Sequence, residues 1–209
     1  MKNILCYGDS NTFGFNPADG MRYSPSVRWP GKLALLLGDG YHVIEEGCNG
    51  RTTVFDDPAE GWKNGFDYLK PCLNSHKPVD IFVMMLGTND LKTVFGADAR
   101  MSAEGAKRLL DEVRTFTAVK QGFVPEMILV SPPVIGEGVC LGSFAGSFDC
   151  TAHERSLGFA QHFRRAALEC GAAFLDASRY TRASQIDSLH LDREGHEALA
   201  QALCDVITH

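Results

Sequence analysis

Four short polar segments of this sequence carry residue types that suit nucleophilic acyl chemistry. Ser10 lies in GDSNTFG, Gly50 in NGRT, Asn89 in GTND and His190 in DSLH. A serine hydroxyl is a poor nucleophile until a base removes its proton, and His190 is a candidate base. Asp187 lies three residues before His190, so its carboxylate can accept from the second ring nitrogen and fix the tautomer. These residues predict a serine nucleophile, a histidine base and an aspartate that orients the base.

The same chemistry requires hydrogen-bond donors for the oxyanion that forms when a nucleophile attacks a carbonyl. The backbone N–H groups of Ser10 and Gly50 and the side-chain amide of Asn89 are the candidates. Glycine at position 50 lets the backbone approach a substrate closely, and removing one such donor typically costs ~2.7–4 kcal/mol. Gly50 and Asn89 are also ordinary turn formers, so a purely structural interpretation of both stays open.

Other acidic and histidine residues compete for these roles. Asp192 is the alternative to Asp187, and His196 and His153 are the alternatives to His190. We interpret His196 as structural, because it falls inside the predicted last helix of the chain.

Phe15 and Val134 are candidates for the wall of a substrate pocket. Phe15 follows the nucleophile closely, although an aromatic residue near a strand also suits core packing. Val134 comes directly after the two prolines of VSPP. The acidic neighbours of the site, Asp9 and Asp90, are interpreted as residues that order their loops.

The elements that must position these residues alternate along the chain. Short apolar runs predict strands at residues 4–7, 41–45, 81–86, 127–130 and 172–175. Helical spacing and capping residues predict helices at residues 30–37, 62–75, 102–120, 151–169 and 193–207, the third capped by Ser102. This alternation predicts an α/β fold with a parallel sheet covered on both faces. We expect one domain over residues 1–209.

The polar segments fall at one edge of this predicted sheet. Three of them directly follow a predicted strand, and residues 187–190 lie between the last strand and the last helix. Ligands of such sheets bind beyond the carboxyl ends of the strands, so the segments are predicted to form one site. Residues 16–29 and 136–149 form long loops, which in compact domains are often functional.

Composition argues against several partners. A net charge of −6 offers no basic surface for nucleic acid or an anionic membrane, and no apolar stretch approaches the ~20 residues that span a bilayer. The sequence lacks HExxH and a Cys/His cluster, so no metal site is predicted. The apolar run before Gly8 is too short for a signal peptide. We therefore expect a cytoplasmic protein with reduced thiols, and a disulfide between Cys140 and Cys150 across their loop is the less favoured alternative.

The motifs GDSN, NGRT, GTND and DSLH resemble the four signature motifs of the SGNH, or GDSL-type, hydrolases, and they occur in family order over nearly the whole chain. The resemblance implies a flavodoxin-like three-layer α/β/α sandwich with a five-stranded parallel sheet. It also implies hydrolysis of esters or thioesters, for which no cofactor is expected. By resemblance the nucleophile is Ser10, the base His190 and the orienting acid Asp187. The implied oxyanion donors are those of Ser10, Gly50 and Asn89.

Longer segments resemble the arylesterase and acyltransferase branch of that family: GDSNTFGFNP, VRWPGKLA, VIEEGCNGRTT, MLGTND and VSPP. Members of this branch act on short acyl esters and often assemble into oligomers. The resemblance therefore implies a small-molecule ester substrate and a homo-oligomer. Asn11 stands where the family motif usually has leucine, which makes it a third candidate pocket residue.

The resulting hypothesis is a serine esterase that cleaves short-chain, acetyl-type esters through an acyl-enzyme, with acyl transfer as a further activity. A carbohydrate O-acetyl esterase or an acyl thioesterase of the same fold is the nearest alternative. A flavodoxin-like protein with a flavin phosphate at residues 10–12 is an alternative from another class, but it leaves Asn89, Asp187 and His190 unexplained. An inactive ligand-binding module is a second alternative from another class, and it leaves the acid–base pair unexplained.

Overall fold

One parallel sheet of five strands lies at the centre of the computed structural model, which describes residues 1–209. The order is β2-β1-β3-β4-β5, and every neighbouring pair is parallel. The middle strand is buried at all positions, because helices cover both faces of the sheet. All five predicted strands are confirmed, with these bounds: β1 Lys2–Gly8, β2 Tyr41–Gly47, β3 Ile81–Met85, β4 Glu126–Ser131 and β5 Ala173–Asp176.

Seven α-helices surround the sheet: α1 Ser10–Phe13, α2 Trp29–Leu37, α3 Gly65–His76, α4 Ala99–Lys120, α5 Thr151–Ser156, α6 Phe159–Cys170 and α7 Arg193–Thr208. The larger apolar core lies between one face of the sheet and α3, α4 and α6. The smaller core lies between the opposite face and α2 and α7. The predicted three-layer α/β/α architecture is therefore confirmed. No helix is both long and apolar enough to cross a lipid bilayer.

The start of α4 differs from the prediction. Asp98, not Ser102, is the N-cap, because its side chain accepts a hydrogen bond of 2.8 Å from the backbone N–H of Met101. Ser102 lies one turn inside the helix, where its hydroxyl donates to the Asp98 carbonyl at 3.1 Å. The helix therefore begins one turn earlier than predicted, because its carboxylate cap lies outside the amphipathic pattern.

The predicted helix over residues 151–169 is interrupted. It divides into α5 and α6, and Gly158 lies between them. The Ser156 hydroxyl donates to the His153 carbonyl and accepts from the backbone N–H of Ile135, which fixes the end of α5. A Cβ at Gly158 would lie 3.1 Å from the Cβ of Ala99, so the break lets α6 approach the start of α4.

Loop 16–29 is held against the edge strand by two arginines. Both guanidinium groups contact the carboxylate of Glu45 on β2: Arg28 bonds both of its oxygens, and Arg22 lies 3.0 Å from one of them. Arg22 also donates to the carbonyl of Phe13 at 2.7 Å. These contacts tie the segment after the nucleophile to the sheet, and this segment carries Phe15.

The cysteines of loop 136–149 differ from the prediction. Cys140 and Cys150 form a disulfide, and the other five cysteines are free. The expectation that the two thiols stay unpaired is wrong, because the loop turns back at residues 137–141 and brings their Cα atoms to 4.9 Å. The bond closes the loop at the start of α5.

A buried carboxylate joins the loops that follow β2 and β3. Asp90 is completely buried, and it accepts 2.8 Å and 2.7 Å hydrogen bonds from the backbone N–H and the hydroxyl of Thr53. Burial raises the pKa of Asp90 to about 7, although the bonds from Thr53 oppose that increase. The contact positions the turn that carries Asn89.

We predict that Asp90→Asn stabilises the protein at alkaline pH. A carboxyl whose pKa is raised by folding reduces stability progressively as the pH rises from its unfolded value towards its folded value. The amide keeps one acceptor and one donor for Thr53 without a buried charge, so the expected gain is on the order of 1–4 kcal/mol at pH 8 and smaller at pH 5. Denaturant unfolding at both pH values measures it. Asp39→Asn, at an exposed position, is the control, and an Asp90→Asn protein less stable than wild type at pH 8 would contradict the prediction.

Candidate active site

The polar segments meet at the carboxyl edge of the sheet, as predicted. Ser10 follows β1, Gly50 follows β2, Asn89 follows β3, and His190 lies between β5 and α7. All four border one cavity of about 230 Å³. The complete lining comprises Ser10, Phe15, Asn49, Gly50, Glu60, Lys63, Asn89, Lys92, Phe144, Ser147, Phe148, Leu189 and His190.

A continuous chain of hydrogen bonds joins Ser10, His190 and Asp187. The Nε2 of His190 lies 2.8 Å from the Oγ of Ser10, and its Nδ1 lies 2.7 Å from the Oδ2 of Asp187. All three residues are buried, and Ser10 and His190 border the cavity. This arrangement can move the hydroxyl proton to Nε2 while the carboxylate stabilises the imidazolium that results.

The turn that carries the acid and the base is held by its own backbone. The Oδ1 of Asp187 accepts from the N–H groups of Leu189 and His190, both at 3.0 Å. Ser188 adopts φ 60°, a left-handed conformation that lets the turn close over so few residues. Burial raises the pKa of Asp187, but these bonds and the one from the imidazole outweigh it and hold the pKa below the usual value. The carboxylate therefore stays ionised beside the base.

Loop 136–149 packs directly on this turn. The backbone N–H of Gly136 donates to the Ser188 carbonyl at 2.8 Å. A Cβ at Gly136 would lie 2.8 Å from the Cβ of Ser188, so only glycine permits this approach. The disulfide-closed loop and the catalytic turn consequently form one packed unit.

Two aromatic rings enclose the imidazole. The ring of Phe15 lies 4.2 Å from that of His190, and the ring of Phe144 lies 5.2 Å from it in an edge-on arrangement. Phe15 therefore lies on the cavity wall, where it was expected. Sequence reasoning missed Phe144 and Phe148, because the loop that carries them has no periodic pattern.

Asn11 and Val134 do not line the cavity, contrary to expectation. The Oδ1 of Asn11 accepts from the backbone N–H of Leu191 at 2.9 Å, and its Nδ2 reaches the Leu189 carbonyl at 3.5 Å. The side chain of Asn11 therefore does not line the cavity. It holds the backbone on both sides of His190 in place. The backbone of Val134 is bonded to the Ser178 hydroxyl at 3.1 Å, which directs this segment away from the cavity.

The three residues predicted to supply oxyanion donors all border the cavity. Gly50 adopts φ 77°, which favours glycine, and its N–H makes no hydrogen bond within the protein. The side-chain amide of Asn89 donates one hydrogen to the Arg51 carbonyl at 3.1 Å and keeps a second for a ligand. Ser10 borders the same cavity.

The competing acids and bases have structural contacts. Asp192 is the N-cap of α7, with a 2.8 Å bond from the Gly195 N–H. His196 is completely buried and accepts from the Trp29 N–H, and burial lowers its pKa to about 3. His153 bonds the Ile135 carbonyl at 2.7 Å. None of these three lines the cavity.

Asp9 caps the short helix that begins with the nucleophile. Its Oδ1 accepts from the backbone N–H of Asn11 at 2.9 Å, while its buried Oδ2 has no partner. Burial raises the pKa of Asp9 to about 6, and the bond from Asn11 and the nearby His190 oppose this increase. Asp9 therefore orders the loop, as expected.

The wall opposite the phenylalanines is polar and was not predicted. The Nζ of Lys63 contacts the Asn49 carbonyl and lies 3.1 Å from the carboxylate of Glu60. The Nζ of Lys92 lies 2.7 Å from a carboxylate oxygen of Asp57. Each lysine is mostly buried and has an acidic partner, so this wall offers hydrogen-bonding groups with little net charge.

A cluster of potential metal ligands lies outside the cavity. Glu46 of β2 and Cys72 and His76 of α3 place their ligand atoms within 4.8 Å of one another. No local sequence motif marks this cluster. Cys72 and His76 are one helical turn apart, and the third residue comes from a strand far away in sequence.

Comparison with known proteins agrees with this geometry. The GDSL-like lipase/acylhydrolase family model matches residues 6–198. No curated protein sequence matches the chain significantly.

Solved structures of similar proteins cover the full length of the chain. Est24, a carbohydrate acetylesterase from Sinorhizobium meliloti, is 34% identical over 100% of this chain and 99% of its own, with a TM-score of 0.90. A carbohydrate acetylesterase family member from the same organism is 37% identical over 99% and 97%, with a TM-score of 0.92. The aryl esterase of M. smegmatis is 34% identical over 100% and 99%, with a TM-score of 0.89. This chain belongs to the GDSL-like lipase/acylhydrolase family and is a carboxylic ester hydrolase.

Proposed function

We propose that Ser10 is the nucleophile of this hydrolase, His190 its general base and acid, and Asp187 the group that orients His190. The observation that carries the proposal is the unbroken hydrogen-bond chain of 2.8 Å and 2.7 Å between these side chains. Asn11 and the two phenylalanines that enclose the imidazole support it, because they leave the ring little freedom to turn away.

The proposed reaction proceeds through an acyl-enzyme. Ser10 Oγ bonds to the ester carbonyl carbon while its proton passes to His190 Nε2, and the carbonyl oxygen becomes an oxyanion. The bond to the alcohol oxygen then breaks, and Nε2–H returns the proton to the departing alkoxide. Water, or a second alcohol in acyl transfer, loses a proton to Nε2 as it attacks the acyl carbon, and Ser10 leaves with that proton.

Donors from three loops stabilise the oxyanion in this proposal. Gly50 contributes a backbone N–H without a competing acceptor, Asn89 the free hydrogen of its amide, and Ser10 its own N–H. Because these donors are fixed before substrate arrives, they need no reorganisation when the charge develops.

We propose short acyl chains, of the acetyl type, as the acyl half of the substrate. The cavity of about 230 Å³ is small, and Phe15, Phe144, Phe148 and Leu189 form its apolar part. Ligand pockets that hold drug-sized molecules are usually larger. A long acyl chain would have to leave this space or displace an aromatic ring.

A carbohydrate O-acetyl ester is the second candidate, and the polar wall favours it. Asn49, Glu60, Lys63 and Lys92 present donors and acceptors to the same cavity. Both lysines have carboxylate partners, so the wall suits an alcohol rich in hydroxyl groups better than the phosphates of a coenzyme A thioester. A homo-oligomer stays a prediction from the family resemblance.

We predict that a fluorophosphonate forms one covalent adduct with the wild-type protein and none with Ser10→Ala. Only a serine activated by a base reacts at an appreciable rate with this reagent. Intact mass spectrometry counts the adducts. Ser147→Ala is the matched control, since Ser147 lines the same cavity without a basic partner, and it is expected to react like wild type. A folded wild-type protein that forms no adduct would contradict the proposal and favour an inactive ligand-binding module.

We predict that kcat/KM falls by about 100-fold or more between p-nitrophenyl acetate and the octanoate. The aromatic wall is expected to exclude the longer acyl chain. Phe144→Ala should therefore reduce the ratio of kcat/KM for the acetate to kcat/KM for the octanoate, even if it lowers both values. Steady-state kinetics on the two esters measures the ratio in each protein. Equal kcat/KM values for the two esters in wild type would exclude a short acyl pocket. Acetylated glucose and ethyl acetate test the polar wall by the same kinetics. If that wall binds the alcohol, kcat/KM should be higher for acetylated glucose.

We predict that the paired substitution of Cys140 and Cys150 by serine raises KM several-fold with a smaller change in kcat. The bond restrains the loop that carries Phe144 and Phe148, whereas the proton chain lies on other segments. Kinetics on p-nitrophenyl acetate measures both constants. Cys204→Ser, at a free cysteine of α7, is the control. An unchanged KM would show that the loop holds its place without the bond.

A further inference from the structure

The edge of the sheet opposite β5 carries three ligand-type side chains that the proposed reaction does not use. Glu46 lies on the edge strand β2, and Cys72 and His76 lie one turn apart on α3. The Nε2 of His76 is 2.7 Å from the Oε1 of Glu46, and the thiol of Cys72 completes a triangle in which all ligand atoms lie within 4.8 Å.

We propose that Glu46, Cys72 and His76 form a binding site for one Zn²⁺ ion, separate from the catalytic cavity. Thiolate, imidazole and carboxylate are the three side-chain ligands that Zn²⁺ takes in proteins. Residues at i and i+4 of a helix share one face, so α3 directs Cys72 and His76 to the same point. A water molecule would take the fourth position of the tetrahedron.

The dimensions of the cluster suit this ion after small side-chain adjustments. Zn²⁺ with ligand bonds of about 2.0–2.3 Å holds tetrahedral donors roughly 3.3–3.7 Å apart, between the closest and the widest spacings found here. Cys72 is buried and fixed, whereas His76 is the last residue of α3 and Glu46 is on an edge strand, and both are partly exposed. The two partly exposed side chains can therefore adjust to the buried thiol.

The local environment leaves the thiol available. Cys72 donates no hydrogen bond within the protein, although the sulfur atoms of Cys48 and Cys170 do. Zn²⁺ binding replaces the sulfur–hydrogen bond by a sulfur–zinc bond and releases one proton to the buffer. The thiolate and the Glu46 carboxylate then neutralise the two charges of the ion. The guanidinium group of Arg51 lies over the ring of Tyr68 and is not one of the clustered ligand groups.

The position of the site gives it a structural role. The backbone carbonyl of Glu46 and that of Gly8 both accept from one nitrogen of Arg51. The Arg51 carbonyl accepts in turn from Asn89. A bound ion would clamp the edge strand to the end of α3 beside the turn that carries Gly50. We expect it to raise the thermal unfolding temperature, since it binds the folded chain only.

The test is metal titration of the full-length protein after treatment with a chelator. Calorimetry with ZnCl₂ is expected to give one site per chain. Co²⁺, which occupies zinc sites, is expected to give the near-ultraviolet charge-transfer band of a thiolate ligand. His76→Gln should weaken Zn²⁺ binding by about 100-fold or more, and Cys72→Ser should abolish the cobalt band. His42→Gln and Cys204→Ser, which change a histidine and a cysteine elsewhere, should bind like wild type.

Several results would overturn the proposal. They are wild-type protein without a stoichiometric site, a Co²⁺ complex without the thiolate band, and His76→Gln that binds Zn²⁺ as tightly as wild type. His76 is partly exposed at the end of its helix, so this variant is decisive even where Cys72→Ser fails to fold. Ser10→Ala should bind Zn²⁺ normally, which separates this site from the fate of the proposed nucleophile.

Discussion

The hydrogen-bond chain from Ser10 through His190 to Asp187 is the constraint on which the rest of the structure depends. Its serine and its histidine are 180 residues apart in sequence, yet their reacting atoms lie 2.8 Å from each other. Such contact requires the segment after the first strand and the segment before the last helix to share one edge of the sheet. The parallel order of the strands brings them there, and Asn11 joins the two segments by bonds to the backbone on either side of His190.

Burial alone does not determine the pKa values of the carboxylates at this edge of the sheet. Asp9, Asp90 and Asp187 are all buried, and burial raises the pKa of each. Asp187 is different because two backbone N–H groups and the imidazole all donate to it, so its pKa ends below the usual value. Asp9 and Asp90 have fewer compensating partners, and their pKa values are about 6 and about 7. Of these three carboxylates, only the one that faces the base receives enough donors to hold its pKa below the usual value.

Sequence reasoning predicted the parts of the site that follow from topology. The five strands are short apolar runs, and the residues after them must meet because parallel strands end at one edge. Ser10, Asp187 and His190 could therefore be combined before any geometry was known. Phe144, Lys63 and Lys92 could not, since their loops have no periodicity that relates sequence position to direction. Asn11 was placed wrongly because adjacency to the nucleophile does not say which way a side chain points.

The cavity consequently has two parts with different physical origins. The part that holds the proposed catalytic residues is fixed by strands and by a turn whose carboxylate accepts from its own backbone, so most substitutions there are expected to disturb the proposed proton transfer. The specificity part comes from loops that are closed by a disulfide or by lysine–carboxylate pairs, and none of these pairs belongs to the proton chain. Under the proposed function, changes in Lys63 or Lys92 are expected to alter which alcohol binds while Ser10 and His190 keep their distance. This separation lets one fold serve esters with different alcohol groups while its reaction stays the same.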